Sequence, residues 1–216
     1  MDNVLNLHAE LKRKTYTHNI YHAFNISDPK PRNIHKATVR DRLLHHAIYR
    51  ILYPYFDRKF ISDSFSCRVE KGTHRAINRF RDFSRQVSKN NTRTCWILKC
   101  DIKKFFANID HHILKNMLSR FNLDSSTLWL LGRVIDSFTS HTYMRDSVNM
   151  QKGLPLGNLT SQLLVNVYMN EFDQFVKREL KVKYYIRYAD DFVILHEDKE
   201  YLEAKLPKIQ NFLGKI

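Results

Sequence analysis

The sequence predicts an α+β fold in which a small antiparallel sheet is backed by helices on one face. Two apolar segments carry strand-like side chains: "CWILKCDIKKFF" (95–106) and the two arms of "YIRYADDFVILH" (185–196). Around them, longer segments place apolar residues three and four positions apart, which is the spacing of helices with one buried face. The 216 residues, 43% of them hydrophobic, are enough for one sizeable core or for two lobes.

In the N-terminal half, the sequence predicts a hairpin followed by two helices. The hairpin has arms Tyr21–Ile26 and Arg32–Lys36, joined by the turn "SDPKP". A helix over 39–54 follows and is expected to end at Pro54, and a strongly basic helix is expected over 73–88. Two i, i+4 rows give the first helix one broad apolar face: Leu43, Ala47 and Ile51, and Leu44, Ile48 and Leu52.

The remaining segments alternate between strands and helices. "CWILKCDI" is predicted as a buried strand, and Asp110 and Asp124 are each expected to cap a helix. The turn "QKGLPLGN" leads into a long helix over Leu159–Leu180, after which the "YIRYADDFVILH" hairpin follows. From Asp198, apolar residues at helical spacing predict a final helix, which Pro207 kinks or breaks.

The charge balance is the clearest global feature of the sequence. Lys and Arg number 36 against 22 Asp and Glu, which gives a net charge of +14 and a pI of about 9.7. An enzyme acting on small neutral molecules has no need of this excess, so we expect a polyanionic partner, nucleic acid first and an anionic membrane second. A basic surface without such a partner is the alternative. The basic residues are spread over all segments, which disfavours the membrane.

The targeting features of the sequence predict a cytoplasmic protein. No apolar run approaches membrane-spanning length, and the N-terminal "MDNVLNLHAELKRK" lacks the features of a signal peptide. The cysteines Cys67, Cys95 and Cys100 are odd in number and have no CxxC spacing. They therefore predict free thiols in a reducing compartment rather than disulfides or a zinc site.

Two adjacent aspartates, Asp190 and Asp191, lie between the apolar arms of the 185–196 hairpin. Aspartate is a common turn residue, so solvation of the hairpin tip is one explanation. The apolar arms place the tip at the edge of a core, however, and a third aspartate, Asp101, ends the other apolar strand. Three carboxylates at adjacent strand ends repel one another unless a cation neutralises them. Hard divalent ions prefer such oxygen ligands, and Mg²⁺ is the usual ion when phosphates share its coordination.

These residues resemble the palm of reverse transcriptases. The resemblance is carried by "YADD" between apolar strands, with "LKCDIKKFF" upstream. Further blocks follow the family's order: "KPRNIHKATVRDRLLHHAI" (30–48) and "SFSCRVEKGTHRAI" (64–77) resemble fingers blocks of bacterial members. "GLPLGNLTSQLLVNVYMNEFD" (153–173) resembles the block that carries the template and nucleotide floor. The resemblance implies an RNA-directed DNA polymerase with a right-hand fold.

The resemblance implies a metal site and a reaction. Asp101, Asp190 and Asp191 match the family's metal-binding triad, and the backbone carbonyl of Ile102 would be a further ligand of the second ion. Two Mg²⁺ ions about 3.5–4 Å apart, for which Mn²⁺ can substitute, would activate an attacking 3′-hydroxyl and stabilise a leaving pyrophosphate. The implied partners are an RNA template, a DNA or RNA primer and deoxynucleoside triphosphates.

The resemblance also implies a nucleotide site. Arg32 matches the fingers arginine that grips the incoming triphosphate, and Lys30 either assists it or is a solvated turn lysine. Phe106 falls where the family keeps an aromatic gate against a 2′-hydroxyl, with core packing as the alternative; Phe105 beside it is expected to pack in the core. Gly157 would let the backbone approach the nucleotide, or it is an ordinary turn glycine.

The block around this glycine departs from many reverse transcriptases. Leu156 stands where they have Gln, and Ser161–Gln162 replaces Ser-Pro. "LGNLTSQ" resembles the enzymes of diversity-generating retroelements, which work with a small accessory protein and copy RNA with errors concentrated at adenines. We therefore assign Leu156, Ser161 and Gln162 to fidelity, with pocket filling as the alternative for Leu156. Group II intron and retron enzymes are the nearest alternative classes.

Length is a second departure from the family. The fingers are expected at about residues 1–95 and the palm at 96–216, and the family continues beyond this point into the end of the palm, a primer-grip hairpin and a helical thumb. A truncated product, a fragment, or a remainder that lies elsewhere would explain the difference, and grip on a duplex is then expected to be weak. A nucleic-acid-binding module without turnover is therefore the competing hypothesis. The presence of all three aspartates favours catalysis.

Overall fold

The structure, a computed structural model, describes residues 2–27, 31–140 and 151–216. The chain divides into two compact units. Unit 1 consists of Met1–Pro54 and Phe106–Leu164, and unit 2 consists of Tyr55–Phe105 and Val165–Ile216. Each unit combines helices with a small antiparallel sheet, which confirms the predicted α+β class. The predicted division into fingers and palm near residue 95 stays a prediction.

The order of the elements matches the predicted order. They are α1 (Asp2–Arg13), β1 (His22–Ile26), β2 (Arg32–Lys36), α2 (Val39–Asp57), α3 (Thr73–Val87), β3 (Trp96–Asp101), α4 (Phe105–Asn108), α5 (His111–Ser119), α6 (Ser125–Asp136), α7 (Leu159–Gln174), β4 (Tyr185–Tyr188), β5 (Asp191–His196) and α8 (Lys199–Leu213). A π-helical turn, Phe175–Glu179, directly extends α7. Helices α1 and α4 have no counterpart among the predicted elements.

Unit 1 contains the β1–β2 hairpin and the helices α5 and α6. The two strands pair antiparallel in a register that places Ile26 opposite Arg32. The side chains of Asp110 and Asp124 accept hydrogen bonds from the first backbone N–H groups of α5 and α6, so both predicted caps are confirmed. Buried apolar residues of α5 and α6 contribute to the core of this unit: Leu114, Met117, Leu118, Leu131, Val134 and Ile135.

One of the two predicted apolar rows of α2 lies in the core. The buried row consists of Leu44, Ile48 and Leu52. In the other row, Leu43 and Ile51 are 48% and 73% exposed, so the predicted broad apolar face is wrong. Helical periodicity shows which residues share a face, but the width of the buried strip depends on what packs against the helix.

Two prolines lie inside helices. Helix α2 continues through Pro54 to Asp57, so its predicted end at Pro54 is wrong. A proline removes one backbone hydrogen bond, and the fully buried side chain of Phe56 favours the turn beyond it. Helix α8 likewise runs through Pro207 without a break, and Ile209, two residues further on, is buried. In both helices, burial of an apolar side chain offsets the missing hydrogen bond.

In unit 2, β5 lies between β3 and β4 and pairs antiparallel with both. Phe83 of α3 packs on one face of this sheet with Ile186 and Leu195. Phe172 of α7 packs on the opposite face against Phe192, with ring centroids 5.0 Å apart. Helices therefore contact both faces of the sheet, whereas the sequence predicts helices on one face.

Strand β3 is only partly buried, although the sequence predicts a buried strand. Trp96 and Ile97 are 42% and 47% exposed. The strand occupies an edge of the three-stranded sheet, and a strand at an edge has neighbours on one side only. An apolar run of this length cannot distinguish an edge position from a central one.

Two global predictions concern cysteines and membranes. Cys67, Cys95 and Cys100 are free cysteines, which confirms the absence of disulfides among them. Within the described ranges, no helix is both long enough and apolar enough to span a bilayer.

Candidate active site

The register of the unit 2 sheet brings three carboxylates together. Asp101, the last residue of β3, is directly opposite Asp191, the first residue of β5. Residues opposite each other in an antiparallel pair project from the same face, so these two side chains leave the sheet side by side. Asp190 lies in the β4–β5 turn, and one carboxylate oxygen from each residue lies within 4.8 Å of the others.

This arrangement is electrostatically unfavourable without a cation. Like charges directly opposite on neighbouring strands destabilise a sheet, and Asp190 adds a third negative charge. Asp101 and Asp191 are exposed and Asp190 is half-buried, so the cluster is open to an ion from solvent. Its donors are all carboxylate oxygens, which hard divalent cations prefer. The three residues can therefore hold a divalent metal ion.

The turn that carries Asp190 has a constrained backbone. Ala189 has a φ of 55°, in the left-handed region that residues other than glycine rarely adopt. Tyr188 and Asp191 close the turn as a paired position, and the Tyr188 hydroxyl is 3.1 Å from Thr73 Oγ1. The conformation of this short segment sets the directions in which the two adjacent aspartates project.

A buried ionic cluster lies beside this turn and is absent from the sequence-based prediction. Arg187 of β4 and Asp173 of α7 are both fully buried and form a salt bridge of 2.8 Å. Burial opposes the charge of Arg187, but Asp173 raises its pKa, so the guanidinium is cationic. The Tyr185 hydroxyl donates to Asp173 across 2.7 Å, and burial raises the pKa of Tyr185 well above its usual value. The one trace of this cluster in the sequence is an arginine in an otherwise apolar strand arm, and this residue alone indicates neither its burial nor its partners.

In unit 1, the segment 151–154 holds the backbone of Phe106. The Leu154 N–H donates to the Phe106 carbonyl across 2.8 Å, and the Gly153 N–H donates to the Ile109 carbonyl across 2.8 Å. The side chain of Phe106 is half-buried. Phe105, in contrast, is buried, which confirms its predicted place in a core. The role of Phe106 as a gate against a 2′-hydroxyl stays a prediction.

The Leu156–Asn158 turn packs against β2 in unit 1. The Leu156 carbonyl accepts from the His35 N–H across 3.0 Å, and the Asn158 side-chain amide donates to the His35 carbonyl across 3.0 Å. Gly157 has a φ of 106°, and a Cβ at this position would lie 2.9 Å from Ile34 Cγ2. The packing against β2 therefore requires a glycine here independently of any nucleotide. The predicted nucleotide contacts of Leu156 and Gly157 stay predictions.

The other predicted site residues have varied environments. Arg32 is exposed at the start of β2, and Lys30 lies outside the described residues. Ser161 is buried in the first turn of α7, Gln162 is half-buried beside it, and Ile102 directly follows β3. Their predicted roles in binding the nucleotide, in fidelity and in metal coordination stay predictions.

Comparison with known protein families determines the classification of this chain. Residues 26–216 match the family model described as reverse transcriptase (RNA-dependent DNA polymerase). The chain belongs to the reverse transcriptase family. All of the predicted site residues of this reverse transcriptase chain fall within the matched range.

The relatives of this reverse transcriptase include bacterial proteins. It is 26% identical over 201 residues to protein YkfC of Escherichia coli (strain K12), across 78% of this chain and 51% of YkfC. It is 25% identical over 187 residues to the group II intron-encoded protein LtrA of Lactococcus lactis subsp. cremoris, across 84% of this chain and 29% of LtrA. The chain thus corresponds to about half of one relative and under a third of the other. The predicted diversity-generating class stays a prediction.

Solved structures with a similar fold include telomerases. The structure of telomerase from Candida Tropicalis in complex with the TWJ fragment of telomeric RNA has a TM-score of 0.63 at 11% identity, across 94% of this chain and 41% of that chain. Apo telomerase from the same organism, truncated from its C-terminal domain, has a TM-score of 0.61 at 12% identity, across 96% and 50% of the two chains. These likenesses and the family match confirm the predicted fold class, a polymerase fingers and palm with a small antiparallel sheet backed by helices.

Proposed function

We propose that this chain is the catalytic part of an RNA-directed DNA polymerase. Its substrates would be an RNA template, a DNA or RNA primer and deoxynucleoside triphosphates, and it would extend the primer at its 3′-hydroxyl. The observation that carries the proposal is the convergence of carboxylate oxygens of Asp101, Asp190 and Asp191 within 4.8 Å at the end of a sheet. In a reverse transcriptase family member, this is the arrangement that nucleotidyl transfer requires.

The three aspartates would hold two Mg²⁺ ions, with Mn²⁺ as a substitute, and the Ile102 carbonyl would add a neutral oxygen ligand. When bound, such a pair of ions activates an attacking hydroxyl and stabilises the charge that develops on a leaving pyrophosphate. The contribution of the protein is to present Asp101 and Asp191 side by side through their pairing register and to fix Asp190 in the turn. The aspartates thereby concentrate negative charge where cations are needed.

The nucleotide site is proposed to use residues of unit 1. Arg32, with Lys30, would bind the triphosphate, because a guanidinium pairs phosphate oxygens with two parallel hydrogen bonds. Phe106 would exclude a 2′-hydroxyl with its ring and so favour deoxynucleotides. Leu156 and Gly157 would border the nascent base pair. The exposure of Arg32 and the partial exposure of Phe106 are compatible with these contacts.

We assign the chain to the error-prone polymerases of diversity-generating retroelements on the basis of Leu156, Ser161 and Gln162, with a small accessory protein as an additional partner. The alternative class is supported by a specific observation, the likeness to the group II intron-encoded protein LtrA. The two classes differ in fidelity opposite template adenine, which is measurable.

The test of the polymerase proposal is primer extension on an RNA template with Mg²⁺ and deoxynucleoside triphosphates. Asp190→Asn and Asp101→Asn are expected to abolish extension, because each removes a charged ligand of the ions. Binding of a primer–template duplex is expected to stay within about twofold, since these carboxylates attract no phosphates. Asp82→Asn is the matched control, because it makes the same chemical change at an exposed position of α3.

Extension by either triad variant within a few-fold of the unmodified chain would contradict the assignment. Duplex binding without any extension by the unmodified chain, under conditions in which a known reverse transcriptase is active, would favour the nucleic-acid-binding alternative. The Asp82→Asn control separates the loss of a metal ligand from a general change in surface charge.

A further inference from the structure

Arg187 has all of its hydrogen-bonding capacity satisfied inside the protein. Its side chain is fully buried on the face of β4 opposite to the one that Asp191 occupies. A guanidinium has five N–H donors. Each finds an acceptor: Nε and Nη2 reach the two Asp173 oxygens at 2.8 Å, Nη2 also reaches Ser64 Oγ at 3.1 Å, and Nη1 reaches Asn166 Oδ1 at 3.2 Å and the Ala189 carbonyl at 3.0 Å.

Such a buried ion pair is not needed for the stability of a core. Removing two charges from water is unfavourable, and apolar residues of similar volume often stabilise a core equally well. In the same sheet, Tyr185, Ile186 and Phe192 show that apolar and aromatic side chains fill neighbouring positions. The retention of a charged pair at this position therefore calls for an explanation other than core packing.

One of the five hydrogen bonds of Arg187 connects it to the aspartates. The Ala189 carbonyl accepts from Nη1, and this residue immediately precedes Asp190. Ala189 also has the left-handed backbone conformation, with a φ of 55°, which is unfavourable for a residue with a Cβ. The hydrogen bond from a rigidly held guanidinium orients the peptide that leads into Asp190. A glycine would adopt this conformation more easily, but it would also leave the turn more flexible.

The backbone of Arg187 is fixed as firmly as its side chain. Its N–H donates to the Asp63 carbonyl and its carbonyl accepts from the Phe65 N–H, both across 3.0 Å. The segment 63–65 thus pairs with the outer edge of β4, and Ser64 in that segment also accepts from the guanidinium. Helix α7, through Asp173 and Asn166, and the 63–65 segment, through Ser64, therefore hold the guanidinium while it contacts the turn.

We propose that Arg187 is a positioning residue that fixes the β4–β5 turn through the Ala189 carbonyl, so that the carboxylates of Asp190 and Asp191 converge with that of Asp101 and can bind divalent metal. The proposal depends on the proposed function only in that the triad binds a divalent cation. Groups that support metal ligands in this way typically contribute 10- to 100-fold to metal affinity or activity.

The test measures binding of Mn²⁺ to the purified chain by electron paramagnetic resonance, with Asp190→Asn defining the binding that the triad does not contribute. Arg187→Lys retains a positive charge for Asp173, but an ammonium cannot span the five acceptors that the guanidinium reaches. We expect it to weaken triad-dependent Mn²⁺ binding at least tenfold. Ser64→Ala is the matched control, since it removes a hydrogen bond of the same guanidinium on the side away from the turn, and its Mn²⁺ affinity is expected to stay within twofold.

Thermal unfolding without metal is measured for the same proteins to establish whether each variant is folded. The proposal is overturned by a folded Arg187→Lys protein that keeps Mn²⁺ affinity within twofold, or by an equal loss of affinity in Ser64→Ala. If Arg187→Lys does not fold, the double variant Arg187→Met with Asp173→Asn decides instead, because it removes both charges of the buried pair together with the hydrogen bond to the Ala189 carbonyl. A reduced Mn²⁺ affinity is then expected, and an unchanged affinity overturns the proposal.

Primer extension by the same preparations separates this proposal from the proposed function. A chain that binds Mn²⁺ through the triad but does not extend primers contradicts the polymerase assignment, while the comparison of Arg187→Lys with Ser64→Ala still decides the positioning role. A chain without triad-dependent Mn²⁺ binding contradicts both proposals.

Discussion

A chain of hydrogen bonds in unit 1 makes the stability of the protein sensitive to acid. His45 Nδ1 lies 2.6 Å from Thr160 Oγ1, and His45 Nε2 lies 3.0 Å from His18 Nε2. His18 Nδ1 in turn lies 2.6 Å from the Asn19 carbonyl, which can only accept. The tautomers follow from this chain: His18 carries its proton on Nδ1, His45 on Nε2, and the Thr160 hydroxyl donates to His45 Nδ1. A second proton on His18 would place two N–H groups against each other at the Nε2–Nε2 contact, and a second proton on His45 would reverse the hydrogen bond with Thr160.

Burial adds to this effect at His45, which is 2% exposed. Burial and the neighbouring His18 lower the pKa of His45 from 6.5 to about 4, while Asp41 opposes the shift and His46 adds to it. Between these two values the unfolded chain holds a proton that the folded chain lacks, so the free energy of unfolding falls as the pH falls. The slope is about 1.4 kcal/mol per pH unit, which amounts to about 3 kcal/mol between pH 6.5 and 4.

The assay is urea unfolding of the unmodified chain and of His45→Gln at several pH values from 7 to 4. Glutamine retains hydrogen-bonding groups but does not titrate, so the variant is expected to lose about 3 kcal/mol less than the unmodified chain over this range. His46→Gln is the matched control, because this neighbouring histidine is exposed on the same helix. Carboxylates that also titrate over this range contribute equally to the free energy of unfolding of each protein, so their contribution cancels in the comparison.

Parallel curves for the two proteins from pH 7 to 4 would show that His45 does not lose a proton on folding. A flatter curve for His46→Gln than for His45→Gln would also refute the prediction, because the effect would then not arise from the buried imidazole. The stability due to His45 is fully present above pH 6.5, so the proteins are expected to show the same pH slope between pH 7 and 8.

Two further predictions concern nucleic acids. Leu156→Gln is expected to lower misincorporation opposite template adenine several-fold in sequenced cDNA, because an amide adds a hydrogen bond of about 1 kcal/mol that leucine cannot make. Leu156→Met is the control. Equal error spectra for the unmodified chain and both variants would show that Leu156 is a packing residue. Duplex affinity is expected to fall steeply as the salt concentration rises. Arg81 and Arg85 are exposed on α3, and changing both to Gln is expected to make this dependence shallower. The slope of log affinity against log salt concentration changes by about 1 for each phosphate that the variant no longer neutralises. Lys199→Gln, at an exposed position of α8, is the control, and an unchanged slope in the arginine variant would exclude α3 from the binding surface.

The candidate site was predictable from the sequence where its parts are local. The sequence places Asp190 and Asp191 between two apolar arms and Asp101 at the end of another apolar segment. This pattern is enough to predict that the three carboxylates lie at strand ends. The register that places Asp101 opposite Asp191 is a property of pairing between distant segments and follows no local pattern. In the sequence, only the resemblance to a family indicates this connection.

The cluster around Arg187 could not be predicted in the same way. Its main partner, Asp173, lies on a helix 14 residues earlier, and its other acceptors come from a loop and from a turn. A single arginine in a strand arm changes neither the apolar periodicity nor the length of the strand, so the hairpin is predicted equally well with or without it. Burial of the whole side chain is decided by tertiary packing alone.

Three features that oppose folding meet at one turn of unit 2. Asp101 and Asp191 bring like charges opposite each other, Ala189 adopts a left-handed backbone conformation, and Arg187 is a charge removed from water. Each costs on the order of 1 kcal/mol or more. In natural sequences, local propensity, hydrophobic pattern, packing and electrostatics generally favour the same structure, and departures from this consistency occur at functional sites. The coincidence of three such departures within the residues that surround Asp190 is therefore an argument for function that uses only the geometry of this chain and is independent of its relatives.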